Sequence, residues 1–95
     1  MSVTRIFLLH TDPGHAWLEV SLTEYPEARQ FASNYSYTTN GIVYLEEDCD
    51  APAFLNSLTD AGKNYRIEAR DSDKDHWIRG LQRASLGEIT RRDDR

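Results

Sequence analysis

The apolar positions of this chain fall into short runs with a period of two, interrupted by stretches with the period of a helix. Arg5 to Thr11 and His15 or Ala16 to Val20 read as two strands around Asp12-Pro13-Gly14-His15, with Pro suited to the first central turn position and Gly to the second. Direct pairing across Pro13-Gly14 places Phe7, Leu9, Thr11, Ala16, Leu18 and Val20 on one face, a core face. Ile6, Leu8, His10, Asp12, His15, Trp17 and Glu19 then share the other. Ser21-Leu22-Thr23-Glu24 matches a capping box, so a short helix is expected within residues 22–32, either beginning at Pro26 or kinked there.

Tyr35–Thr39 and Ile42–Leu45 flank Asn40-Gly41, two residues that tolerate the positive φ of a tight hairpin. The turn sets Thr39 opposite Ile42, Thr38 opposite Val43 and Tyr37 opposite Tyr44. Next, Ala51, Phe54, Leu55, Leu58 and Ala61 form a single apolar stripe at helical spacing. Asp48 or Asp50 is placed to cap this helix, Pro52 falls in its first turn, and Gly62 supplies a left-handed end. Tyr65–Arg70 alternates again, with Tyr65, Ile67 and Ala69 expected inward and Arg66, Glu68 and Arg70 outward. Trp77, Ile78 and Leu81 form either a last helical turn or an arm folding back on the sheet. The order ββαββαβ predicts a small α+β two-layer sandwich: a mostly antiparallel sheet of about five strands with two helices on one face. Residues 1–80 make the single domain, and residues 81–95 a charged, flexible tail.

Composition narrows this further. A chain of 95 residues holds one modest core, burying roughly two-thirds of its extended surface. The single cysteine, Cys49, excludes an intrachain disulfide and a cysteine-rich zinc site. The longest early apolar run, Ile6-Phe7-Leu8-Leu9, is too short for an export signal or a membrane span, so a soluble, cytoplasmic protein without membrane contact is expected. Net charge is −5 but uneven. Ile6 to Asp60 carries nine acidic residues against one basic, a local −8, whereas Ala61 to Arg95 carries seven acidic against nine basic, a local +2. Such a body is poorly suited to phosphate backbones, so no direct nucleic-acid binding is expected; it suits a basic protein partner.

The candidate chemistry is sparse. Glu46, Glu47, Asp48 and Asp50 surround Cys49 at a strand-to-helix corner, where capping accounts for one or two carboxylates and leaves Glu46 and Glu47 without a structural duty, free for a partner. His10, Asp12 and His15 would meet at one hairpin end and offer the alternative of a metal-dependent activity there. Asp71-Ser72-Asp73-Lys74-Asp75 imitates a calcium loop but has His76 where Gly is needed and Gln82 where a bidentate Glu is needed. The aromatic set Tyr35, Tyr37 and Tyr44 reads as cross-strand packing. No phosphate loop, hydrolase elbow, zinc-protease helix or dinucleotide fingerprint is present, and neither an enzyme nor a cofactor is expected.

The segments HTDPGHAWLEV and NYSYTTNGIVYLEEDCDAPAFLNSL, with YLEEDCD the most specific part, resemble a family of small bacteriophage and mobile-element proteins that has no established activity. The resemblance spans about Ile6 to Ala69; Pro26 and the charged tail depart from it. It implies an accessory role in a phage or plasmid setting, with host cytoplasm as the compartment. Joined to the acidic body, it leads to the expectation of a non-enzymatic protein that binds a protein partner through Glu46, Glu47, Asp48 and Asp50, as an inhibitor of a host nucleic-acid-handling or defence complex would. A homodimer formed through sheet edges is the structural alternative.

Overall fold

The structure, a computed structural model, describes residues 4–72, 78 and 81–84. Strands β1 (Arg5–Thr11), β2 (Ala16–Ser21), β3 (Ser36–Thr39), β4 (Ile42–Glu46), β5 (Tyr65–Asp71) and β6 (Gln82–Ala84) form one sheet in the order β5-β1-β2-β4-β3-β6. A 3-10 helix, Pro26–Phe31, and an α-helix, α1 (Asp50–Asp60), cover one face, which confirms the two-layer α+β sandwich.

Both hairpins keep the register that their turns dictate. Leu9 faces Leu18 and Thr11 faces Ala16 across the Pro13-Gly14 turn, while Tyr37 faces Tyr44 and Thr39 faces Ile42. Asn40 at φ 48° and Gly41 at φ 80° take the left-handed conformations that fit a tight turn to the right-handed twist of the strands.

The helix layer departs from expectation at two ends. Ser21 caps only a turn, its Oγ accepting from the Glu24 N–H at 3.3 Å. The regular helix starts at Pro26, one of the two expected alternatives, where the missing N–H is harmless in a first turn, but it remains 3-10. At the start of α1, neither Asp48 nor Asp50 caps: the N-cap is Cys49, without a side-chain hydrogen bond. The far end closes as expected, with Gly62 at φ 75° and the Lys63 N–H reaching the Leu58 carbonyl at 2.9 Å.

The main core lies between these layers. Phe54, fully buried, meets Phe7, Tyr25 and Phe31 at ring-centroid distances of 5.8, 5.7 and 6.0 Å. Leu18, Val20, Val43 and Leu45 form the sheet side beneath it. Ala61, the last residue of the predicted stripe, is exposed, because the helix ends at Asp60.

Three features of the sheet go beyond its two hairpins, and the second was one of the expected alternatives. First, β5 runs parallel to β1, since α1 carries the chain back to the end where β4 began. As an edge strand beyond the helices, β5 is exposed from Arg66 to Asp71. Ile67 is 45% exposed, and only Tyr65 reaches the core, against Phe7. Second, the opposite sheet face is not uniformly wet: Trp17, Tyr37 and Tyr44 form a second buried cluster with Ile78, and Leu81 packs beside it. Ile78 and Leu81 thus lie back on the sheet; Trp77 lies outside the described residues. Third, β6 pairs with β3. The sheet therefore extends to residue 84, past the boundary expected at residue 80, and the rest of the expected tail lies outside the described residues.

Candidate functional site

The acidic corner sits where β4 ends, α1 begins and β2 starts alongside. Glu46 is the last residue of β4 and faces Trp17 of β2; the Glu47 N–H bonds the Ala16 carbonyl at 3.1 Å, fixing the turn to the same strand. The four carboxylates have different roles there. Glu46, 8% exposed, turns back over the corner: its Oε2 accepts from the Asp48 N–H at 2.6 Å and its Oε1 from the Cys49 N–H at 3.0 Å. It satisfies backbone donors just before α1, work that sequence spacing assigned to Asp48 or Asp50.

Asp50 points into the protein. Its Oδ2 accepts from the Ser33 N–H at 2.8 Å, the Ser33 hydroxyl at 2.6 Å and the Ser36 hydroxyl at 2.6 Å. The Ser36 hydroxyl in turn accepts from the Glu46 N–H at 3.0 Å, so one buried serine couples both acids. Glu46 and Asp50 are therefore both buried and both tie the corner's backbone to its neighbours. Glu47 and Asp48 are exposed. Among the described residues, no cation pairs with any of the four.

Beside the corner opens a cleft of about 390 Å³, lined by His15, Trp17, Tyr35, Tyr37, Glu46, Asp48 and Cys49. Its deep side is formed by Trp17, Tyr37 and Glu46, which are 2%, 6% and 8% exposed. Tyr35, 70% exposed, stands at the rim with His15, Asp48 and Cys49. Trp17 holds an edge-on contact with Tyr37 at 5.9 Å and a tilted one with His15 at 6.0 Å. Aromatic faces combined with carboxylates favour an organic cation. Sequence reading placed Tyr35 and Tyr37 in a packing ladder and gave Trp17 no role beyond its face. The missing signal was the adjacency of β2 and β4, which brings Trp17 to Glu46.

Among the described residues, the other candidates do not come together as a metal site. His10 Nε2 lies 2.8 Å from Glu19 Oε1. Asp12 Oδ1 accepts from the Gly14 and His15 N–H groups, both at 3.0 Å, and so closes its own turn. His15 belongs to the cleft. Among the described residues, no three His, Cys, Asp or Glu side chains are grouped to hold a metal ion. Tyr44 lies opposite Glu19, and burial, followed by the charge of Glu19, holds its phenol above the usual tyrosine range. No helix among the described residues is long and apolar enough to cross a membrane. Comparison with protein-family models, with curated proteins and with solved structures finds no match to this chain.

Proposed function

We propose that this chain is a non-enzymatic binding protein that captures a basic protein partner at the acidic corner and seats one lysine or arginine side chain in the adjoining cleft. The observation that carries this reading is the cleft itself, in which Trp17, Tyr35 and Tyr37 stand beside Glu46 and Asp48. A cation over an aromatic face gains about 0.5–1 kcal/mol when exposed and about 2 or more when desolvated. The exposed carboxylates of Glu47 and Asp48 add attraction at the rim, and the −8 body steers a basic surface toward it. Proteins that handle nucleic acid carry basic surfaces, so an acidic protein of this kind competes for the surface that meets phosphate. In the phage or mobile-element setting implied by the resemblance, that makes it an inhibitor of a host nucleic-acid-handling or defence complex, acting in the host cytoplasm.

The test is fluorescence anisotropy with a labelled oligo-arginine or oligo-lysine peptide. Glu47→Lys/Asp48→Lys is expected to weaken binding at least tenfold and Tyr35→Ala severalfold. Glu27→Lys/Asp60→Lys, which changes net charge equally but away from the corner, has little effect. Equal losses in the two charge-reversal pairs would mean general charge attraction without a site, and would overturn the reading.

A further inference from the structure

Among the described residues, β5 has a strand neighbour on one side only, β1, and its backbone groups have a definite direction. The Ser72 N–H donates to the Thr11 carbonyl at 2.8 Å, so Ser72 turns its polar groups toward β1. Direction alternates along a strand. Arg66, Glu68 and Arg70 therefore also bond toward β1, while Tyr65, Ile67, Ala69 and Asp71 aim their N–H and C=O groups outward. Arg66 to Asp71 are all exposed, including Ile67 at 45%. Such a row is a template for another strand.

We infer that two copies of this chain join through β5, antiparallel about a two-fold axis at Ile67, to form one continuous sheet. Closed two-fold pairing of identical edges is necessarily antiparallel and self-complementary, so the β5 sequence selects its own register. Centring on Glu68 sets Glu68 against its copy and Arg66 against Arg70 of the other protomer, like charges directly opposed. Centring on Ala69 sets Ile67 against Asp71, whose carboxylate already meets the Thr11 hydroxyl. Centring on Ile67 pairs Ile67 with its copy, Tyr65 with Ala69, Arg66 with Glu68 and Lys63 with Asp71. Only in this register are all facing charged pairs opposite in sign while the apolar residues meet each other.

The outward groups of Tyr65, Ile67 and Ala69 then exchange hydrogen bonds across the axis. The Ala69 carbonyl accepts from the Arg70 guanidinium at 3.2 Å and keeps a second lone pair for the incoming Tyr65 N–H. Glu68, which Arg70 meets at 3.1 Å, becomes shared with the other protomer's Arg66. The acidic cleft lies where β2 begins and β4 ends, the end at which β1 and β5 finish. Antiparallel pairing therefore leaves both clefts open, at opposite ends of the joined sheet. This association rests on β5 alone and is independent of what the cleft binds.

Light scattering coupled to size exclusion tests it. Wild-type chain is expected at twice the 11.0 kDa of one copy. Arg66→Glu and Glu68→Arg singly place like charges together and should raise the dimer dissociation constant tenfold or more. The double swap Arg66→Glu/Glu68→Arg restores the pairing and the dimer, and Ile67→Lys yields monomer with an unchanged circular dichroism spectrum. A wild-type monomer at high micromolar concentration would overturn the inference. So would a dimer indifferent to the single swaps, or a double swap no better than either single change.

Discussion

Replacing Asp50 with alanine should destabilise this protein by about 3–4 kcal/mol, although the residue is one of five neighbours in an exposed-looking acidic run. Its Oδ2 gathers the Ser33 N–H, the Ser33 hydroxyl and the Ser36 hydroxyl. A hydrogen bond to a charged group contributes about 1.5–3 kcal/mol, and each buried donor left unpaired costs about 1–3 kcal/mol. These do not simply add. Ser33 is half-buried, so water replaces part of what it loses. Ser36 is fully buried, and its hydroxyl also holds the Glu46 N–H, so it has little freedom to find another acceptor. One full buried-donor penalty plus part of the remaining bonds gives the stated range, after a few tenths of a kcal/mol are returned by relieved repulsion among neighbouring carboxylates.

A chain of 95 residues has about 5–14 kcal/mol in total, so this is a large share. It corresponds to a fall of about 12–30 °C in Tm. Urea denaturation followed by circular dichroism and by tryptophan fluorescence measures it. Ser36→Ala is expected to cost about 1–3 kcal/mol, and the double variant to lose at least about 1 kcal/mol less than the sum, because both changes remove the same bond. If Asp50→Ala melts within about 0.5 kcal/mol of wild type, or if the two changes are additive, the acidic corner and the segment before β3 are not coupled through this carboxylate.

Other expectations follow from single contacts. Phe54→Ala empties the space among Phe7, Tyr25 and Phe31 and should cost about 3–5 kcal/mol; a loss below about 2 would mean that the helix layer collapses to fill it. Gly41→Ala forces a Cβ into φ 80°, although no neighbour crowds it, so a loss of about 1–2 kcal/mol measures backbone strain alone. Glu46→Ala strips the acceptor from the Asp48 and Cys49 N–H groups and should lower stability by about 1–2 kcal/mol, while Glu47→Ala leaves the midpoint unchanged. Tyr44 keeps its proton longer in the folded state than in the unfolded chain. Its contribution is therefore intact below the ordinary tyrosine pKa of 10.0 and is lost as pH rises through the higher folded value. Ultraviolet titration should show one late phenolate that Tyr44→Phe removes, along with part of the alkaline loss of stability; an unchanged titration curve would refute the assignment.

Local rules were readable wherever the contact itself is local. Asn40-Gly41 and Pro13-Gly14 set their hairpin registers because turn geometry is decided by the turn residues. The α1 stripe was readable because its spacing is the helix period. The acidic corner was not, for a physical reason. Asp50 finds its partners 14 and 17 residues earlier in the chain, on a serine at the start of β3 and another before it, and no periodicity encodes that meeting. The spacing offered Asp48 or Asp50 as the cap, whereas the acceptor is Glu46, at the end of β4. Likewise β6 and the parallel pairing of β5 join strands far apart in sequence. The cleft unites the start of β2, the start of β3 and the β4–α1 turn.

The corner's carboxylates divide by direction, and this determines how its binding responds to salt. Reversing all four charges would break the fold at Glu46 and Asp50, so loss of partner capture in that variant would say nothing about recognition. Glu47 and Asp48 are the informative pair. Being exposed, they interact with a basic partner through water and within a Debye length of about 8 Å at physiological ionic strength, so their share weakens steeply as salt rises. Glu46, Trp17 and Tyr37, the buried part of the cleft lining, set an environment in which charge is screened far less. Peptide affinity measured from about 50 mM to about 500 mM salt should therefore fall and then level. In Glu47→Lys/Asp48→Lys the salt-sensitive part disappears and a weak plateau remains; in Tyr35→Ala the slope persists and the plateau drops. A wild-type affinity that falls to zero without levelling would show that only the rim carboxylates engage the peptide, and that the aromatic cleft holds no cation.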